Sequence, residues 1–466
     1  MMAFDAARVR ADFPILARRV RTADGRLRPL VYLDHGASTH APQPVLDAVQ
    51  EFCASTYANV HRAHHALSQE ASAQFEDACA TMGRFVGADP ATQPVVLGQN
   101  TTHVLDIAAH LVAGRKGKTL TTLAEHHSND LPHRRRGKTL HAEVDEDGRL
   151  LLEDVERKLQ KNRVKLLAVT GASNVTGLMP PVHKLARLAH DNGALILVDA
   201  AQLLAHAPLD AKPMDHPEHL DLVAGAGHKA YAPFGSAFLA APQDLLDEAP
   251  PYLPGGGTVQ WVTEDDVLFK NGAERHMAGT PNIVGAVAFA AALRYLDDIG
   301  MERVRAHELD LTRLALRRFA ELEETECLRL LGPRGPAAAA EKVGVFAFTM
   351  GACSHGEASV LLDRHFAIAT RNGCFCAQPL LNRLLRLGAT PAWTKAVTKG
   401  QPVEIPGATR ATFGLYNTEG DVETLADALG RIAADDLPKP AATVRAKAPN
   451  PKAVVETRAR PTRRLT

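Results

Sequence analysis

VKLLAVTGASNVTGLMPPVHKLARLAHDNGALILVDAAQ, residues 164–202, opens on a short apolar run, passes through an amphipathic helical pattern and closes on a second apolar run. Neither run alternates polar and apolar positions, as a strand with one wet face would. Both read as strands covered on two faces, the mark of a parallel sheet flanked by helices. Working outward, the alternation continues: PVVLG (94–98) leads into HVLDIAAHLVAG (103–114), then KTLTTLAE (118–125), and beyond the segment comes DLVAGAG (221–227). Helical patterns fill 282–325. The style then changes to EKVGVFAFTM (341–350), EASVLLDRH (357–365), TRATFGLYN (409–417) and DVETLADALGRIAA (421–434), which predict a smaller α+β domain. The expected division is an N-terminal segment, 1–40, packing on the small domain; a large domain, 41–325; a small domain, 326–436; and a tail, 437–466.

Composition narrows the function classes. The 466 residues carry 53 basic and 53 acidic side chains, so no net field recruits nucleic acid or an anionic membrane. No apolar run reaches the length of a membrane helix; residues 1–20 show no apolar h-region, and Asp5 and Asp12 argue against a transit peptide, so no targeting segment is expected. Six cysteines are too few for a disulfide scaffold, which points to a reducing cytoplasm. Charge is uneven, however: eight basic residues and one acid after residue 436 leave the tail at +7 and the body at −7. Rich in proline, that tail reads as a disordered extension, solvated or serving as a docking arm for an acidic partner.

In open α/β sheets ligands bind beyond the carboxyl ends of the strands. The residues there are Gln99, Asn100, Thr101 and Thr102; Glu125, His126 and His127; Ser173 and Asn174; Asp199 and Gln202; His228 and Lys229. Alone, an aspartate after a strand is a helix cap and a lysine a solvated cation. Together, hydroxyls at a helix start suit a phosphate, and an amine beside a carboxylate and an imidazole suits Schiff-base chemistry.

The segments YLDHGAST (32–39), ANVHRAHHALS (58–68), EHHSND (125–130), ASNVTG (172–177), LVDAAQ (197–202), GHKAYAPFG (227–235), PGGG (254–257), AGTPNIVGA (278–286), RNGCFCAQPLL (371–381) and TRATFGLYNT (409–418) resemble the cysteine desulfurase and selenocysteine lyase branch of the class V aminotransferase-like enzymes. The likeness runs in order from Val9 to Ile432. It implies the type I fold of pyridoxal-phosphate-dependent transferases, α/β with a mostly parallel seven-stranded sheet and a smaller α+β C-terminal domain. It also implies pyridoxal 5'-phosphate as cofactor and a homodimer with shared sites. In that likeness Lys229 bonds the cofactor aldehyde, Asp199 faces the pyridine nitrogen, and His126 stacks on the ring and passes protons. Gln202 contacts the phenolic oxygen, and Asn174 the substrate or ring edge. Thr102, His228 and, from a neighbouring subunit, Thr280 near Gly255–Gly257 hold the phosphate. Arg410 pairs with the substrate carboxylate, and Arg371 stands close to the substrate.

The same resemblance makes Cys376 the nucleophile that takes sulfur from cysteine, or selenium from selenocysteine, leaving alanine and an enzyme persulfide for an acceptor protein. Nearby cations such as Arg371 would favour its thiolate. Cys374 relays sulfur, pairs with Cys376 or fills space; Cys53, Cys79, Cys327 and Cys353 read as packing residues. Two rivals stand beside this reading. One is a C–S lyase, epimerase or aminotransferase with the same cofactor; the other is a sulfur-delivery scaffold with weak activity. The chain departs from the family pattern at Ala226, where relatives carry serine, at His35-Gly36, and in an insertion, 387–406. GRKGKTL (114–120) lacks the earlier glycine of a phosphate loop at Val112, so it is set aside. His133–Arg136 reads as a solvated helix face. His61, His64, His65, His126 and His127 have no zinc spacing, so no metal is expected.

Overall fold

A computed structural model describes residues 4–438 apart from 62, 388–392, 402 and 404. Seven strands form the main sheet: β1 (Val95–Gly98), β2 (Lys118–Thr122), β3 (Thr139–Ala142), β4 (Val164–Thr170), β5 (Leu195–Asp199), β6 (Leu222–Ala226) and β7 (Ala237–Ala240). Their order is β1-β7-β6-β5-β4-β2-β3. Every pairing is parallel except the two made by β7, which runs antiparallel between β1 and β6. The carboxyl ends of the six parallel strands therefore share one edge. Register brings Thr170 opposite Asp199 and Asp199 opposite Ala224.

The apolar runs bury on both faces, as continuous strands must. Leu167, Val169, Ile196, Val198 and Val223 enter one core, while Leu166, Ala168, Leu197, Leu222 and Ala224 enter another. Helices α1 (Ala66–Phe85), α2 (Thr101–Leu111), α3 (Val182–Asp191) and α4 (Ile283–Ile299) surround the sheet. Asn100 caps α2, its side chain accepting from the His103 amide at 3.0 Å.

Helix α5 (Met301–Glu324) spans two cores: Met301 and Val304 pack in the first, Leu311, Ala315 and Phe319 in a separate one. That second core lies under an antiparallel sheet of β8 (Leu328–Leu331), β9 (Val345–Met350), β10 (Arg371–Gly373) and β11 (Ala408–Thr412), in the order β8-β9-β11-β10. Helices α6 (His355–Phe366), α7 (Gln378–Leu384) and α8 (Glu419–Ala433) complete this region. A Ser354–Glu357 capping box starts α6. Near the N-terminus, Val31–Tyr32 pairs in parallel with Ile368–Ala369, and Asp34 then bridges to Thr412. This threading places Asp34 beside β10 and β11, where the chemistry gathers.

Two expectations need correction. His133–Arg136 is a solvated face only in part: Arg134 and Arg135 are exposed, whereas His133 is buried and Arg136 is half-buried against Asp106. Cys53 is exposed on a π-turn, whereas the other three packing cysteines are partly covered. Among the described residues no helix is long and apolar enough to cross a membrane. The basic tail beyond residue 438 and part of the insertion lie outside the described residues.

Candidate active site

The carboxyl edge assembles most of the groups read from the strand ends. Lys229 closes the 3-10 turn after β6, and its Nζ donates to Gln202 Oε1 at 3.4 Å. Burial first, and the Arg410 charge second, push its amine down to about 8, while Asp199, Cys376 and Asp34 pull the other way. Asp199 ends β5 and is buried; burial raises its carboxyl above the usual range, against the Ala201 amide and the Lys229 charge. His126 accepts from the Ser128 amide through Nδ1 at 3.1 Å. Burial, then the charges of Lys229, His127 and Arg410, push it down to about 4, so the ring is neutral with its proton on Nε2. His228 is likewise lowered by burial and by Lys229.

Arg410 rises from β11 into the same space and is 3% exposed. One terminal nitrogen donates to the Asn174 carbonyl at 2.9 Å, the other lies 3.7 Å from Asp34, and Nε is buried with no partner. Burial pushes its guanidinium down to about 10, against the pull of Asp34. A buried donor left unpaired is costly, so Nε marks a place for an acceptor. Gly36 permits this approach: a Cβ there would lie 3.1 Å from Arg410 Nη2 and 2.8 Å from Thr412 Cγ2. The neighbouring departure, His35, is fully buried and fills the space that Gly414 leaves by lacking a Cβ. Arg371 stands directly across the strands from Arg410, and Asp34 takes it at 2.7 Å. Asp34 thus separates two like charges, a role that no local signal in the sequence announces.

The cysteine loop is held against this edge from three sides. The Phe375 carbonyl accepts from Asn174 at 2.6 Å, the Cys376 carbonyl from the His127 amide at 2.7 Å, and the Gln378 amide donates to His127 Nε2 at 3.2 Å. Phe375 and Cys376 adopt φ of 54° and 53°, left-handed values that cost about 1 kcal/mol each without glycine. Those anchors hold the left-handed backbone of Cys376, an exposed residue, against His127. The Phe375 ring also lies 4.9 Å from the Arg410 guanidinium, a cation–π contact that covers the cation.

At the start of α2, Thr102 Oγ1 lies 2.7 Å from Ser128 Oγ, and Thr101 Oγ1 is buried without a partner. Hydroxyls and first-turn amides therefore point where an anion could sit. Thr280 is exposed and lines a separate cleft with Asn59, His61, Gly257 and Lys270. On the opposite edge of the sheet His190, His219 and Asp221 gather. The two imidazole rings stack at 4.2 Å, each Nε2 meets a different Asp221 oxygen, at 2.9 and 3.1 Å, and one ligand atom from each residue lies within 4.8 Å of the others.

Glu125, one residue before His126, is buried and accepts from Thr122 and Asn129. Burial pushes its carboxyl up to about 8 from an ordinary 4.5. A raised carboxyl stabilises the fold fully below its unfolded value, and that contribution is lost as pH climbs to the folded value. The protein should therefore lose a few kcal/mol relative to Glu125→Gln between about pH 4.5 and about pH 8. Denaturant melts of both proteins across that range check this; parallel curves would contradict it.

Residues 31–425 match the family model described as aminotransferase class-V. The chain is 35% identical over 441 residues to the cysteine desulfurase of Haloferax volcanii, covering 91% of this chain and 96% of that protein. Among solved structures, the apo cysteine desulfurase from Thermococcus onnurineus superposes with a TM-score of 0.79 at 30% identity, covering 93% and 99% of the two chains. A cysteine desulfurase from Escherichia coli, in an S-sulfonic acid form, gives a TM-score of 0.76 at 28% identity, covering 94% and 100%.

Proposed function

The chain belongs to the aminotransferase class-V family, and from that premise we propose that it is a pyridoxal-phosphate-dependent cysteine desulfurase. It removes sulfur from L-cysteine, or selenium from selenocysteine, leaves L-alanine, and holds the chalcogen on Cys376 for an acceptor protein. The observation that carries this reading is the Cys376 loop anchored by Asn174 and His127 on the edge that bears Lys229.

The donor set fits the cofactor. Lys229 offers a desolvated amine, Asp199 a buried carboxylate, His126 a neutral ring, and α2 with Thr102 and His228 a setting for phosphate. Ala226 supplies no hydroxyl there, which removes one hydrogen bond of about 1 kcal/mol. Pyridoxal phosphate, when bound, supplies an electron sink for the carbanion at the substrate Cα. Lys229, with an amine near pKa 8, is suited to take and return the Cα proton. Arg410 orients the substrate carboxylate through its unpaired Nε. Cys376 Sγ attacks the substrate sulfur: the new S–S bond forms, the C–S bond breaks, and its electron pair stays with the carbon fragment that becomes alanine.

Thr280 stands apart from Lys229 within one chain, which supports a homodimer in which a second subunit supplies it. Six free cysteines support a reducing, cytoplasmic setting. We divide the chain into an N-terminal segment 1–40, a large domain 41–325, a small domain 326–436 and a tail 437–466.

The deciding experiment is a mass spectrum of the products and of the Cys376 peptide after exposure to L-cysteine. Equimolar alanine and a persulfide on Cys376 are expected; pyruvate and ammonia would mean a C–S lyase. Arg410→Lys keeps the charge but loses the planar fork, so KM for cysteine should rise about 10- to 100-fold with a smaller change in kcat. Steady-state alanine formation measures it, and an unchanged KM would remove Arg410 from the carboxylate site.

A further inference from the structure

Behind the reactive edge runs a buried polar chain that the chemistry above leaves unused. Glu308 on α5 accepts the Gly344 amide through Oε1 and faces His206 Nδ1 through Oε2 at 2.7 Å. His206 Nε2 lies 3.2 Å from the Gln202 amide nitrogen, and the Gln202 carbonyl takes Lys229 at 3.4 Å. His206, Glu308 and Gln202 are 2%, 5% and 3% exposed, so water does not compete for these contacts.

Donor and acceptor rules fix the direction of the chain. A backbone amide can only donate, and a carboxylate can only accept, so His206 Nδ1 must carry its proton toward Glu308. In the neutral ring Nε2 is then a lone pair, and it accepts from the Gln202 amide nitrogen. That turns the Gln202 carbonyl toward Lys229 and leaves the second amide N–H free for a phenolic oxygen. We propose that Glu308 and His206 are positioning residues that, by fixing the imidazole tautomer, hold the Gln202 carbonyl on Lys229 and set the proton affinity of that amine. Its consequence for catalysis rests on the desulfurase reading above, while the hydrogen-bond chain itself does not.

Other groups also act on the members of this chain. Lys229 feels Arg410, Asp199, Cys376 and Asp34; His35 faces His206, and Tyr231, Arg305 and His307 face Glu308. None of these is altered in the variants that follow.

Glu308→Gln is the sharpest probe because it changes one atom type and no volume. Its single oxygen is claimed by the fixed Gly344 amide, so its NH2 turns to His206 Nδ1. The ring then carries its proton on Nε2, the Gln202 amide flips, and NH2 replaces the carbonyl opposite Lys229. His206→Asn keeps a donor for Glu308 but removes the acceptor that orients Gln202. The readout is the pH midpoint of Lys229 acetylation by acetic anhydride in the full-length, cofactor-free protein, followed by peptide mass spectrometry. Both variants should lower that midpoint by about one unit. In a Gln202→Glu background, where either tautomer leaves a carboxylate on Lys229, Glu308→Gln should lower nothing. A midpoint unmoved in folded Glu308→Gln and His206→Asn overturns the proposal, as does an equal fall in both Gln202 backgrounds. Failure to bind pyridoxal phosphate or to form alanine would instead overturn the desulfurase reading and leave these midpoints as they are.

Discussion

Lys229→Ala is expected to slow alanine formation from cysteine by about 10⁴-fold or more while the protein keeps its fold. The amine is the group on the carboxyl edge able both to bond an aldehyde and to move a proton, and its position follows from the strand-to-turn exit of β6. Burial holds its pKa near 8, so the folded state disfavours the charged amine relative to the unfolded chain. Removing it should leave the melting temperature at pH 7 equal or higher. Three measurements bear on this together: alanine release, retention of the visible absorption of lysine-bound cofactor after gel filtration, and a thermal melt. A variant that keeps that absorption would show that another amine carries the cofactor.

Cys376→Ala should separate sulfur transfer from cofactor binding. Alanine release should fall at least about 100-fold and the persulfide should vanish, while the absorption due to Lys229 stays as it was. The reason lies in the loop: its anchors are backbone carbonyls and amides on Phe375, Cys376 and Gln378, so deleting Sγ removes the thiol without releasing the loop. Left-handed geometry at residue 376 persists in the variant at a similar cost, since alanine and cysteine both carry a Cβ. Alanine release that survives the change would make the thiol incidental and favour a lyase or an aminotransferase. Loss of the absorption as well would mean that the loop supports cofactor binding.

Asp199, Gln202, His126 and Lys229 were legible because strand ends in a parallel sheet are local features, and apolar runs reveal where strands stop. Asp34 was not. It lies 337 residues from Arg371, and nothing near it hints that two arginines will face each other across β10 and β11. The Glu308–His206 pair is separated by 102 residues and was equally silent, as was the stack of His190 and His219 on Asp221. His133 and Arg136 misled because a basic run looks solvated until its packing and its distant partner Asp106 are known, while Arg134 and Arg135 are exposed as the run suggests.

By itself the sequence determined the sheet, its reactive edge and the residue types displayed there, since periodicity and strand termini are written in neighbouring positions. Only the tertiary structure decided which of those groups are charged, paired or strained. Proton affinities and buried hydrogen bonds depend on desolvation and on partners hundreds of residues away, and no local pattern encodes either.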